Sequence, residues 1–118
     1  MLSTKLIILF GSRTTGMAKA GSDYDIAVWG DNVLDLEQKS AVSQNLASEL
    51  GVSEDKIDIT DLNTASPLLR YEVSIYGKLL RGSEEDFLRF KVSSWKLYQD
   101  TARFRQARRQ ALNQSSHA

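Results

Sequence analysis

A mixed α/β fold, a small mixed β-sheet covered by helices and ending in a long C-terminal helix, is predicted by three observations on the 118-residue sequence. Short β-branched and aromatic runs, Lys5 to Phe10 and Tyr24 to Trp29, each end at a glycine and read as buried strands. Between and after such runs come segments whose apolar residues recur about four apart, the period of a helix with one buried face. A hydrophobic share of 42% over this length supports one domain with a real core, residues 1 to 118, and leaves too little chain for two.

The elements follow in order. After the second strand, Gly30-Asp31-Asn32 turns the chain. A helix is expected from about Leu34 to Leu50, with Val42, Leu46 and Leu50 on its buried stripe, Asn32 or Asp35 as N-cap and Gly51 as stop. Lys56 to Leu62 sets Ile57 and Ile59 against Asp58 and Thr60, which is the alternation of a third strand. Ser66-Pro67 starts a helix, because proline at the first helical position lacks only a donor that had no partner there, and Gly77 ends it. Lys78 to Arg81 reads as a short edge strand. Ser83 then caps a helix whose first turn holds Glu84, Glu85 and Asp86, favoured there by the helix dipole. That last helix is expected to run from 84 to between 110 and 113, with Leu88, Val92, Trp95, Tyr98 and Ala102 as its inward stripe.

Composition excludes several chemistries. There is no cysteine, so disulfides, thiolate nucleophiles and cysteine-held metals are ruled out. The single histidine, His117, stands next to the last residue, where acid–base work is not expected. Leu6 to Phe10 is far too short for a membrane span, and no cleavage site follows a signal-type core, so a cytoplasmic protein is expected. Formal net charge is zero but unevenly placed: residues 1 to 88 carry 8 Lys/Arg against 14 Asp/Glu, and residues 89 to 118 carry 7 against 1. The basic end could meet an acidic protein surface or RNA. Phe104 is its only aromatic residue beyond Tyr98, which makes direct nucleic-acid binding the weakest reading.

Catalysis must therefore rest on carboxylates, hydroxyls, cations or a metal. Asp23 and Asp25 are two apart and project to one face of a strand. Carboxylates so close repel one another unless a cation sits between them or one takes a proton. Magnesium, which takes one or two carboxylates plus substrate phosphate oxygens, suits such a pair. If the third strand lies beside the second, Asp58 joins them. Gly11-Ser12 follows the first strand, where a glycine lets the backbone approach a ligand and N–H groups at the start of a helix can bind phosphate. Gly11 and Gly16 have the outer spacing of a phosphate-binding loop, but Met17-Ala18 stand where Lys-Ser/Thr is needed, and that motif is rejected. Gly21 precedes no helix pattern, so a dinucleotide fingerprint fails too.

Gly11-Ser12, ten residues, Asp23-x-Asp25 and a third aspartate on a strand after a helix resemble the minimal nucleotidyltransferases of the DNA polymerase β superfamily. The segment IDITDLNTASPLLRYEVSIYGKLLRG, from Ile57, is similar to that family's stretch after its third aspartate. The resemblance implies the polymerase β-like nucleotidyltransferase fold, with Asp23, Asp25 and Asp58 as catalytic residues that bind Mg2+. Gly11 and Ser12 would hold the triphosphate of ATP, and Arg13 could touch a phosphate. It further implies transfer of AMP to a protein hydroxyl, as the antitoxin of a type VII-like toxin–antitoxin pair. The acceptor would be a tyrosine of a cognate HEPN-domain ribonuclease toxin, in a hetero-oligomer to which the last helix, with Arg103, Arg105, Arg108 and Arg109, contributes contacts. One departure stands out: many relatives place a helix before the first strand, where this chain has about four residues. Two rival functions keep the same fold, a binding module that neutralises its partner by occlusion alone and a transferase acting on an antibiotic.

Overall fold

Alternation along the strands decides how the sheet divides the molecule. The computed structural model describes residues 4–16 and 22–115, with backbone alone at 15, 114 and 115; Met17, Ala18, Gly21 and His117 lie outside that set. Strands β1 (Thr4–Phe10), β2 (Tyr24–Gly30), β3 (Ile57–Asp61) and β4 (Lys78–Arg81) form one sheet in the order β3-β2-β1-β4. β1 runs antiparallel to β2 and β4, whereas β2 and β3 are parallel. Parallel neighbours need a crossover, and α2 (Leu36–Leu50) supplies it. The remaining helices are a single turn, α1 (Ser12–Thr15), then α3 (Pro67–Tyr76) and α4 (Glu84–Ser115).

Two clusters sandwich the sheet. Ile26, Val28 and Ile57 on one face meet Val42, Leu46 and Ala47 of α2. On the other face Leu6, Ile8 and Ala27 meet Leu62, Val73 of α3, and Phe87 and Phe90 of α4. Phe90 is fully buried and leans on Trp29, ring centroids 5.7 Å apart. Strand and helix periods thus agree on one packing, as expected of a mixed sheet covered by helices.

Capping sets the helix limits. Of the two residues offered for the start of α2, Asp35 is the cap: it accepts from the Gln38 amide at 2.8 Å while the Gln38 side chain accepts from the Asp35 amide at 3.0 Å. The helix ends at Gly51 in the left-handed region, φ 68°. Leu50, expected on the buried stripe, lies on the exposed rim, and Ala47 takes the inward position. Ser66 caps α3 ahead of Pro67, and Gly77 closes it.

α4 corrects one expectation. Leu88, Val92 and Trp95 are exposed, while Phe87, Phe90 and Ser94 are buried and Tyr98 and Ala102 half-buried. The helix has apolar residues on two faces, so periodicity within it cannot choose between them. The choice falls to its neighbours, because Trp29 receives Phe90 and Tyr71 of α3 stacks on Tyr98 at 4.2 Å.

Ser94 is fully buried and its hydroxyl has no hydrogen-bond partner. Leaving such a group unpaired costs about 1 to 3 kcal/mol, and removing it restores most of that. Ser94→Ala is therefore expected to raise the thermal midpoint; a lower midpoint in a melting experiment would show that packing of the hydroxyl outweighs its desolvation.

Asp61 fastens the ends of β2 and β3 together. Buried, it accepts from the Leu34 amide at 2.7 Å and the Asn63 amide at 2.9 Å, and Asn63 in turn donates to the carbonyls of Gly30 and Asn32. Among the described residues no helix is long and apolar enough to cross a membrane.

Candidate active site

The sheet register brings the candidate residues to one level. Phe10, the last residue of β1, pairs with Asp25 of β2, and Asp25 pairs with Asp58 of β3. Ile57 and Ile59 pack toward α2, so Asp58 projects to the opposite face, the one that Asp25 shares with Ala27. Asp23 lies just before β2 and has the same parity. The condition under which Asp58 would join the other two, strand β3 beside strand β2, is met.

Electrostatics agrees with this placement. The Asp25 carboxyl is raised above the ordinary carboxylate range, first by partial burial, then by the negative charges of Asp58 and Asp23. Among the described residues no three carboxylate or imidazole groups stand close enough to enclose an ion by themselves.

Gly11 joins the loop to the carboxylates. Its backbone sits at φ 78°, ψ −149°, a region essentially restricted to glycine. A Cβ there would lie 2.2 Å from Asp25 Oδ2. Thr14 holds the turn shut: its amide donates to the Gly11 carbonyl at 3.1 Å and its hydroxyl to the same oxygen at 2.8 Å. The helix that follows is only the four residues of α1, too short for a macrodipole, so an anion at this corner would be met by individual backbone N–H groups. Arg13 is directed elsewhere. Its guanidinium stacks 3.8 Å from the centre of the Tyr24 ring and donates to the Ser22 carbonyl at 2.6 Å, bracing the turn against the chain that leads to Asp23.

A slot of about 370 Å³ opens beside Gly11, lined by Phe10, Gly11, Leu69, Glu72 and Tyr76. Leu69, Glu72 and Tyr76 were not reached by reading the sequence, since they are some sixty residues from Gly11 along the chain. Their spacing of three and then four along α3 is the signal available, and only the fold gives it a destination. A second cavity, about 340 Å³ and lined by Ile7, Val42, Leu46 and Arg81 among others, is on the α2 face of the sheet, away from the carboxylates.

Comparison with known proteins agrees with this architecture. Residues 3–86 match the family described as Polymerase beta, Nucleotidyltransferase. The chain is 38% identical over 108 residues to the protein adenylyltransferase MntA of Shewanella oneidensis, covering 92% of this chain and 73% of that one. It is 37% identical over 87 residues to the protein of the same name from Aphanizomenon flos-aquae, covering 64% and 55%. Among solved structures it is similar to a toxin–antitoxin complex with AMP-PNP, with a TM-score of 0.73 at 36% identity, over 100% of this chain and 90% of that one. It is also similar to an MNT antitoxin in complex with a tri-AMPylated Shewanella oneidensis HEPN toxin, with a TM-score of 0.66 at 34% identity, over 100% and 87%.

Proposed function

The chain belongs to the polymerase β nucleotidyltransferase family, and from that premise we propose that it transfers AMP from ATP to a hydroxyl of a partner protein, a tyrosine of a HEPN-domain toxin, and so acts as the toxin's antitoxin. The observation that carries this reading is the register Phe10–Asp25–Asp58, which sets a glycine turn against two carboxylates on one face of the sheet.

In this reading the Gly11 and Ser12 backbone receives the triphosphate. Asp23 and Asp25, with Asp58, would hold magnesium, whose charge would offset both the phosphates and the mutual repulsion of the carboxylates. Asp58, on the edge strand β3, takes the proton of the acceptor hydroxyl in this reading. A bond forms between the acceptor oxygen and the α-phosphorus, the bond to the bridging oxygen breaks, and pyrophosphate leaves. Most of the acceleration comes from holding the groups in line rather than from a strong base.

The partner reading is supported by two kinds of observation. The similar solved structures are toxin–antitoxin complexes. In this chain, α4 continues past the core with Arg103, Arg105, Arg108 and Arg109 exposed, which suits an acidic surface. Such a system works in the cytoplasm, where ATP is at hand.

The test is the intact mass of the protein that co-purifies with this chain, before and after addition of ATP and magnesium. An adenylyl-sized gain on the partner, absent when the cation is chelated, is the expected result. A tight complex whose partner never gains mass would overturn transfer in favour of occlusion, and no protein partner would return the chemistry to small-molecule acceptors.

A further inference from the structure

We propose that two copies of this chain pair through α4, antiparallel about a two-fold axis at Trp95, with Leu88, Val92 and Trp95 buried between them and the acidic start of each helix beside the basic end of the other. The inference stands apart from the transfer chemistry.

The apolar line comes first. Leu88, Val92 and Trp95 follow one another at intervals of four and three residues, so they share one line along the helix. They are 61%, 44% and 53% exposed. Phe87 and Phe90 hold the helix to the core and Tyr98 holds it to α3, which leaves this line open. Ala102 continues it seven residues past Trp95, with a side chain small enough for close approach. Apolar residues in a continuous row on a surface mark a contact rather than scattered exposure.

Charge chooses the occupant. The first turn of α4 holds Glu84, Glu85 and Asp86, and its far end holds Arg103, Arg105, Arg108 and Arg109. Glu85 and Arg103 are eighteen residues apart, five whole helical turns, and so flank the line on one side. Glu84 and Arg109, twenty-five apart, flank it on the other. A two-fold axis across the line reverses direction and brings like flanks together. Glu85 of one copy then comes within about 3 Å, along the axis, of Arg103 of the other. Leu88 lies level with Ala102 of the second copy, and the two Trp95 rings meet at the centre.

The other occupants fail on the same charges. Parallel copies would set acid on acid and arginine on arginine. An acidic helix of another protein would suit the arginines but be repelled by the first turn, and RNA gains nothing from the apolar line. Three side chains alone fall short of the roughly 800 Å² that each side of a stable interface buries, so the contact needs the run from Glu84 to Arg105, about 32 Å of helix. The arginines are those offered above to a toxin. The apolar line is what that reading leaves unassigned, and a second copy uses both.

The experiment is sedimentation equilibrium of the full chain across micromolar concentrations, without nucleotide or partner. Wild type is expected to reach twice the chain mass of 13.2 kDa. Trp95→Ala is expected to weaken self-association about tenfold or more, the loss typical of a truncated aromatic anchor, whereas Trp95→Phe should keep it. Arg103→Glu with Arg109→Glu reverses the charge beside the line at the far end, and Glu84→Lys with Glu85→Lys reverses it at the start. Each double variant alone sets like charges together and should stay monomeric. An equimolar mixture of the two should form a heterodimer, because each end then faces its opposite. All the changed side chains are exposed, and unchanged melting curves verify the fold.

A wild type that is monomeric at every concentration would overturn the proposal. A dimer indifferent to Trp95→Ala and to both reversals would do so as well, by assigning the contact to another face. Failure of the mixture to associate would overturn the antiparallel arrangement. A monomeric wild type whose Trp95→Ala variant no longer binds the partner protein would give the line to that partner instead.

Discussion

Asp25→Asn is expected to reduce adenylyl transfer by roughly a thousandfold or more and at the same time to raise the melting temperature. The substitution keeps the side chain's shape and removes its charge. The first effect follows because Asp25 is the middle carboxylate of the three, paired in register with Asp58 and touching the phosphate turn through Gly11. The second follows from the direction of its pKa shift. Burial and the charges of Asp58 and Asp23 raise the Asp25 carboxyl in the folded protein. Ionised Asp25 therefore costs stability at any pH above its folded value, and that cost is relieved as the pH falls through the raised value. Asparagine lacks the cost. Thermal melts at pH 7 without added magnesium, alongside a transfer time course, check both effects. A variant that melts lower than wild type would show that the carboxylates are not in mutual tension, and one that transfers normally would remove Asp25 from the chemistry.

Gly11→Ala is expected to destabilise the fold by about 1 to 3 kcal/mol and to lower transfer by roughly a hundredfold. The stability loss comes from a backbone at φ 78°, ψ −149° that side chains hardly ever adopt. The activity loss has a separate origin: the new methyl would meet Asp25 Oδ2 at 2.2 Å, and one of the two must move. Gly16→Ala separates these causes. Gly16 also has positive φ, 76°, but no atom of a described residue lies within 4 Å of its missing Cβ. It should lose some stability and keep its turnover number. Equal activity in the two variants, measured below their melting range, would refute the steric link between Gly11 and the carboxylate.

Much of this was legible in the sequence because the deciding patterns are short. Alternation placed the strands. Ser66-Pro67, Gly51 and Gly77 marked helix limits that caps confirm. The spacing of Asp23 and Asp25 put both on one face before any pairing was known. Features set by distant residues were not legible. Which apolar face of α4 turns inward depends on Trp29 and Tyr71, not on α4 itself. The destination of Arg13 depends on the Tyr24 ring, which lies across the loop. The slot beside Gly11 exists only because α3 returns over the end of β1. Asp61 shows the same limit: as one of several strand aspartates it is unremarked in the sequence, and burial between two turns makes it the fastening of the β2 and β3 ends.

The two halves of α4 differ in what holds them. From Glu84 to about Ala102 the helix has a face against the core, whereas residues 103–113 are exposed on every side. Isolated helical segments of that length are marginal in water. Backbone amides in the last three turns should therefore exchange with solvent through local fraying, orders of magnitude faster than those around Phe90, whose release requires opening of the core. Any molecule that settles on the arginine-bearing end must supply the ordering free energy that the domain leaves out, and slowed exchange confined to those turns would report its arrival without a change anywhere else in the protein.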